Sequence, residues 1–215
     1  MRPEQAVPAA AAPRRRCWAR AARRAAAACA LAAGLLGCAA EPFHGVVADP
    51  PAAVAEVTLS GTTGAPFRLS EQAGRWVLLF FGYANCPDVC PFTLTHLTTA
   101  LRDVGPAADD VAVVFVSVDP DRDTPEALGA YAASFGPAVR AVTGTRAEID
   151  AAVAAFDARY TLNTDGTADS AAGYTVSHSG EVFVIDPAGR LRLTIPYGVG
   201  PADIAADLRR LVGAD

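Results

Sequence analysis

Two stretches of this chain are apolar on both faces. RWVLLFFGY (75–83) and VAVVFVSV (111–118) carry few polar side chains and no polar–apolar alternation. A strand with one wet face alternates, whereas a strand covered on both faces has no need to. Runs of this kind belong in the middle of a sheet flanked by helices. Between them, FTLTHLTTALRDVG repeats Leu94, Leu97 and Leu101 at helical spacing. A buried strand, a helix and a second buried strand form a crossover unit, and a sheet built on such units is mixed or parallel.

The segments that follow extend the alternation. TPEALGAYAASFG opens as a helix, with Thr124 as N-cap, Pro125 at the first helical position and Gly136 at the end. VRAVTG is a short strand and RAEIDAAVAAFDARY another helix. GEVFVIDPAGRLRLTI gives two strands around the turn Asp186-Pro187-Ala188-Gly189, and PADIAADLRRLVG closes the chain as an amphipathic helix. LNTDGTADSAAG (162–173) is polar and rich in small residues, and is expected to be a flexible loop just before His178. The expected class is α/β, a central mixed β-sheet flanked by helices. With a cysteine pair between the first buried strand and its helix, the layout is thioredoxin-like.

The first 37 residues read as a targeting segment, not as fold. Arg14, Arg15, Arg16, Arg20, Arg23 and Arg24 precede AAAACALAAGLLGC, an apolar run of signal-peptide length and short of the ~20 residues a membrane span needs. The run ends in Leu35-Leu36-Gly37-Cys38, which resembles the lipobox of bacterial lipoproteins. That resemblance implies a signal peptide over 1–37 and a lipid on Cys38; an uncleaved N-terminal anchor is the alternative. Both place the rest of the chain beside a membrane, outside the cytoplasm. Residues 38–54, rich in Ala and Pro, are expected to form a tether, and 55–215 the folded domain. Residues 1–37 hold seven of the 18 basic side chains and one of the 23 acidic ones, so the remainder carries 11 Arg against 22 Asp and Glu, a formal net charge of −11. Such a surface repels phosphate backbones, which argues against nucleic-acid binding. The chain has no lysine, which excludes lysine chemistry.

The cysteines carry the chemistry. Cys17 and Cys29 lie in the leader and Cys38 is assigned to lipid, so only Cys86 and Cys90, in NCPDVCP (85–91), remain. A framework of disulfide staples is therefore excluded. Both cysteines fall at the end of a buried strand, where open α/β sheets place their functional crevice. Pro91 suits the start of a helix, and the positive end of that helix favours thiolate over thiol. Thiolate attacks disulfides and also binds metals, so the residues alone leave three readings open: a structural disulfide, a thiol–disulfide oxidoreductase and a soft-metal site. Three intervening residues loosen the compact ring of a CxxC pair and let two sulfurs converge on one ion. Met1 is the only methionine, so a third ligand has to come from His44, His96 or His178. Cu(I) accepts two thiolates and an imidazole in three-coordination, whereas structural zinc wants four ligands.

FGYANCPDVCPFTL, VFVSVDPDRDTPEAL and GYTVSHSGEVFVIDPAGRLR, in that order and spanning roughly residues 56 to 212, closely resemble the Sco/SenC family. The resemblance implies a thioredoxin-like fold and a metallochaperone, lipid-anchored on the periplasmic side of a bacterial envelope, that carries copper as Cu(I) or Cu(II). It implies delivery to the dinuclear copper site of cytochrome c oxidase subunit II, with an upstream copper donor and a thiol reductant as further partners. Cys86, Cys90 and His178 match the family's copper-binding residues. The alternative is a thiol–disulfide reductase that keeps the oxidase cysteines reduced, or a redox sensor, using Cys86 and Cys90 without His178. His96 is expected to be a solvated helix residue and His44 an inert tether residue. Asp88 could tune the thiols or simply be solvated. Asp119, Pro120, Asp123 and Pro125 match the family's VDPxRDTP stretch and read as turn and cap. Ser177 stands where many members have aspartate, which leaves the ligand set intact but bears on affinity and pH dependence.

Overall fold

The computed structural model describes residues 41–164 and 173–213. The chain divides into Met1–Pro42 and Phe43–Asp215. Of the first unit only Glu41 and Pro42 are described, so everything below concerns the second. The leader, the lipobox, Cys38 and most of the expected loop over 162–173 lie outside the described residues.

Eight strands form one sheet, which runs from β1 (Val46–Ala53) through β10 (Arg190–Ile195), β9 (Val182–Ile185), β4 (Trp76–Gly82), β5 (Val111–Ser117), β6 (Val139–Thr143) and β2 (Thr58–Gly61) to β3 (Pro66–Arg68). The two apolar runs are its centre, β4 (Trp76–Gly82) and β5 (Val111–Ser117), paired in parallel from Trp76 opposite Val111 to Gly82 opposite Ser117. β6 (Val139–Thr143) continues the parallel set. β9 (Val182–Ile185) and β10 (Arg190–Ile195) are antiparallel and flank β4 on the other side. Helix α1 (Val89–Val104) crosses from β4 to β5 and α2 (Pro125–Ala133) from β5 to β6. Right-handed crossovers in one direction put both helices on the same face. The ring of Phe115 accordingly packs against Tyr131 of α2, with centroids 5.4 Å apart. On the opposite face Phe81 meets Phe156, just after α3 (Arg146–Ala155). The last helix, α4 (Pro201–Val212), packs beside α1. Leu78, Leu79, Phe80, Val113, Val114 and Phe115 are all fully buried, each contributing ~1.5–3 kcal/mol by removal from water.

The local signals act as the residues dictate. The Thr124 hydroxyl accepts from Ala127 N, with Pro125 at the first helical position. At α3 a reciprocal capping box joins Thr145 and Glu148, in which Thr145 N donates to Glu148 Oε2 at 2.7 Å. In the β9–β10 turn Asp186 accepts from Ala188 N and Arg190 N at 3.0 and 2.9 Å.

The expected tether over 38–54 is corrected by the structure. Val46–Ala53 form β1, antiparallel to β10. Proline excludes a residue from a central ladder but is tolerated at an edge or a bulge. β1 is an edge strand, and its register breaks between Val47 and Ala52, the interval that holds Pro50 and Pro51. The folded unit thus starts at Phe43, twelve residues before the expected boundary at 55.

His44 is likewise no inert residue. Its Nδ1 donates to Asp207 Oδ1 at 3.0 Å, and its Nε2 lies 3.4 Å from Asp203. Asp207, 1% exposed on α4, also accepts from the backbone N–H groups of His44 and Gly45. The entry of the chain into the sheet is tied by a buried carboxylate.

One further unit stands outside the large sheet. β7 (Tyr160–Asn163) and β8 (Thr175–His178) pair only with each other among the described residues, with Tyr160 opposite His178. The first residues of the expected loop, Leu162 and Asn163, therefore belong to a strand.

Candidate metal centre

β4 ends at Gly82, and the next turn delivers Cys86 to the N-terminus of α1. Cys86 N donates to Tyr83 O at 3.2 Å, and Ala84 N donates to Asp123 Oδ2 at 2.8 Å. Asp123 is 2% exposed and also accepts from the Ser117 hydroxyl at 2.6 Å. The cysteine turn is thus pinned to the loop that follows β5. Burial is the main reason the Asp123 carboxyl is pushed above its usual range, partly offset by Ser117 and the Ala84 N–H.

Asp88 is the N-cap residue of α1, but its side chain makes no capping bond. Cys86 Sγ takes that place and accepts from Cys90 N at 3.4 Å. A sulfur in a capping position faces the positive end of the helix, which favours its ionised form. Pro91 is the third helical residue, not the first, and still costs no bond because the first four N–H groups lack intrahelical partners. Asp88 is exposed at the rim.

The two thiols are unlike. Cys86 is 9% exposed and Cys90 fully buried. The Cys86 thiol is pulled well below the ordinary range, chiefly by hydrogen bonding from Cys90. Burial opposes that shift, while the N–H groups of Asp88 and Cys90 add to it. The Cys90 thiol is driven up by the same bond to Cys86 and then by burial. The helix N-terminus and the Cys90 N–H favour the thiolate on Cys86, the more exposed of the two. Both cysteines are free thiols.

His178 comes from the end of β8, on the other side of the crevice. Its Nε2 stands 3.4 Å from Cys90 Sγ and 4.0 Å from Cys86 Sγ. Its Nδ1 is 2.8 Å from the carbonyl of Ser179. A carbonyl only accepts, so Nδ1 carries the proton, and in the neutral ring Nε2 presents its lone pair to the sulfurs. Phe80 and Tyr83 hold the ring edge-on, with centroids 5.8 and 5.9 Å away. Gly82 supplies the space behind Cys90, since a Cβ there would lie 2.5 Å from Cys90 Sγ and 2.7 Å from the Phe115 ring.

Sequence reasoning named Cys86, Cys90 and His178, and their donor atoms all lie within 4.8 Å of one another. Around a three-coordinate ion with metal–sulfur bonds of ~2.3 Å and metal–nitrogen bonds of ~2.0 Å, donors sit ~4 Å apart. The three atoms fit such an ion with small adjustments. They open on a shallow groove of about 300 Å³, lined by Tyr83, Pro87, Asp88 and Ser177 among others.

The other two histidines are elsewhere. His96 is not simply solvated: its Nδ1 donates to Val199 O at 3.0 Å and its ring lies 3.9 Å from that of Phe92. Ser177 accepts from Asn163 Nδ2 at 2.8 Å across the hairpin. Tyr83, Phe80, Gly82 and Asp123 were not read as site residues. Their roles depend on contacts across the fold that leave no local pattern.

Comparison with known proteins agrees with this arrangement. The family described as SCO1/SenC matches residues 47–213. SenC of Rhodobacter capsulatus is 37% identical over 138 residues, covering 60% of this chain and 61% of that protein. The chain spans between 45% and 67% of the length of the curated relatives it matches. Apo Sco1 of Thermus thermophilus superposes with a TM-score of 0.69 at 36% identity, over 81% of this chain and 99% of that one. ScoI of Bradyrhizobium japonicum, solved with copper bound, gives a TM-score of 0.64 at 33% identity, over 74% and 99%.

Proposed function

This chain belongs to the SCO1/SenC family, and from that premise we propose that it is a copper chaperone. It takes one copper ion as Cu(I) on Cys86 Sγ, Cys90 Sγ and His178 Nε2, and delivers it to the dinuclear copper site of cytochrome c oxidase subunit II. The observation that carries the reading is the convergence of two thiols and a bare imidazole nitrogen within 4.8 Å. Soft thiolates select Cu(I), and an imidazole completes three-coordination. The copper-bound ScoI of Bradyrhizobium japonicum supports the choice of metal.

Copper is cargo here, and the residues suit its passage. Cys86 is held as thiolate beside the groove, and Cys90 gives up its proton as the ion binds. A partner thiolate enters from the groove, and ligands exchange one at a time. Cys38 carries the lipid that holds the domain on the periplasmic side of the envelope. An upstream protein supplies the ion, and a thiol reductant keeps both cysteines reduced.

The asymmetry of the thiols favours a second reading, a thiol–disulfide reductase. The Cys86 thiolate attacks one sulfur of a partner disulfide, forming a mixed disulfide and releasing the other partner sulfur as a thiolate. Cys90 then attacks Cys86 Sγ and yields its proton to the departing partner thiolate. The partner gains two electrons, Cys86 and Cys90 are left as a disulfide, and the thiol reductant restores them. His178 is dispensable in this cycle.

Copper transfer from loaded protein to the reduced, metal-free copper domain of subunit II separates the two. The chaperone reading expects one copper passed per chain and failure with His178→Ala. No copper transfer by the wild type, with reduction of the oxidised domain intact in both wild type and His178→Ala, establishes the reductase instead.

A further inference from the structure

Among the described residues the hairpin that carries His178 pairs with no strand of the eight-stranded sheet, so side chains help to place it. At the end facing the sheet, Ser179 N bonds Arg159 O and Arg159 N bonds Ser179 Oγ, which closes the hairpin on itself. Tyr160, opposite His178, ties β7 to α3 through its hydroxyl, which donates to Asp150 Oδ1 at 2.5 Å, and a second tie lies four residues away from His178, at Tyr174. Its hydroxyl donates to Asp119 Oδ1. The other oxygen of Asp119 accepts from Arg122 Nε at 2.5 Å, and Arg122 NH1 donates to the Tyr174 carbonyl at 2.7 Å. The guanidinium carbon sits 3.7 Å from the Tyr174 ring centroid and 5.7 Å from that of Tyr83.

This cluster is well built for holding position. Asp119 is fully buried and the Arg122 side chain only 18% exposed. A buried carboxylate accepting from a planar guanidinium and a phenol has a single good geometry. Along a strand, alternate side chains face the same way. Tyr174, Val176 and His178 are turned inward, and Thr175 and Ser177 outward. At ~3.4 Å per residue, fixing Tyr174 fixes where His178 falls. Tyr83 touches both ends of the chain of contacts, with Arg122 over its ring and His178 edge-on to it.

We propose that Asp119, Arg122 and Tyr174 form a latch that seats the β7–β8 hairpin, so that His178 Nε2 stands over the two sulfurs. They are positioning residues, and touch neither sulfur nor the imidazole. The proposal rests on the reading of Cys86, Cys90 and His178 as metal donors.

The test has two arms, on Arg122→Ala and the milder Tyr174→Phe. In metal-free protein, backbone amide exchange is followed by residue. The latch predicts exchange about tenfold faster or more at Val176–His178, with β4 and β5 amides unchanged as proof of folding. Unchanged exchange at Val176–His178 in both variants overturns the latch. In the second arm, Cu(I) affinity is measured against a competing chelator. Arg122→Ala is expected to weaken binding about tenfold, and to add nothing to the loss caused by His178→Ala. Full additivity of the two substitutions overturns the proposal. If His178→Ala binds copper as wild type does, the donor assignment has failed, and the metal-free arm decides the latch alone.

Discussion

His178 Nε2 lies 3.4 Å from the sulfur of Cys90, 88 residues earlier in the chain. Two elements make the contact: the N-terminus of α1, which fixes the sulfurs, and a hairpin outside the main sheet, which brings the imidazole. The first is buried and rigid. The second is held by side-chain contacts, and that difference gives the site one firm wall packed in the core and one seated beside it.

The firm wall depends on a missing side chain. Gly82 has ordinary backbone angles, so its need is for space alone, and a Cβ would press on Cys90 Sγ at 2.5 Å and on Phe115. Gly82→Ala is expected to cost ~1–3 kcal/mol through overpacking and to displace the Cys90 sulfur. Thermal unfolding and Cu(I) affinity are the measurements. Wild-type values of both in the variant would show that the pocket behind the sulfur is not a constraint.

The start of the folded unit has a direct test. A chain beginning at residue 55 lacks β1 and leaves Asp207, 1% exposed, without the N–H groups of His44 and Gly45. Losing a hydrogen bond to a charged group costs ~1.5–3 kcal/mol. A chain beginning at Phe43 should unfold cooperatively at the full temperature, and one beginning at residue 55 far lower or not cooperatively. Equal midpoints would mean that β1 is dispensable.

Asp186 sets an acid dependence. Burial by itself raises its carboxyl pKa, but the Arg190 N–H and guanidinium together with the Ala188 N–H outweigh it, and the net shift is downward. A depressed carboxylate contributes stability in full above the unfolded value of ~3.9, and loses it as pH falls through the lower folded value. Asp186→Asn should cost ~1.5–3 kcal/mol at pH 7 and progressively less below pH 4. Melting curves of both proteins from pH 3 to pH 7 check this, and a gap that is constant with pH would contradict it.

Tyr131 offers a stabilising change. Its hydroxyl is buried and has no hydrogen-bond partner among the described residues, while its ring packs on Phe115 and Phe135. A buried hydroxyl left unpaired costs ~1–3 kcal/mol of desolvation. Tyr131→Phe keeps the ring contacts and removes that cost, so the melting temperature should hold or rise by a few degrees. A fall of comparable size would reveal a partner for the hydroxyl.

Much of this was legible from local pattern. β4 and β5 announced themselves as unbroken apolar runs, Thr124 and Pro125 as the start of α2, and Asp186 to Gly189 as a turn. Each is decided by residues within one or two turns of chain. β1 was not legible, because its prolines are allowed only by the bulge and the sheet edge, and both are properties of the partner strand. β8 has four residues, too few for alternation to be told from chance. His44 finds Asp207 across 163 residues, and Arg122 finds Tyr174 across 52. At the site, the cysteine pair was visible from spacing and the helix signal. Its third member was visible only through resemblance, and the contacts that aim His178 not at all.

The central claim is a three-donor copper site, and X-ray absorption at the copper edge of the reduced, loaded domain tests it most directly. The account predicts one Cu(I) per chain bound by two sulfurs and one nitrogen, with the nitrogen lost in His178→Ala and the sulfurs lost in Cys86→Ala/Cys90→Ala. A wild-type spectrum with sulfur ligands alone, unchanged by His178→Ala, would contradict it.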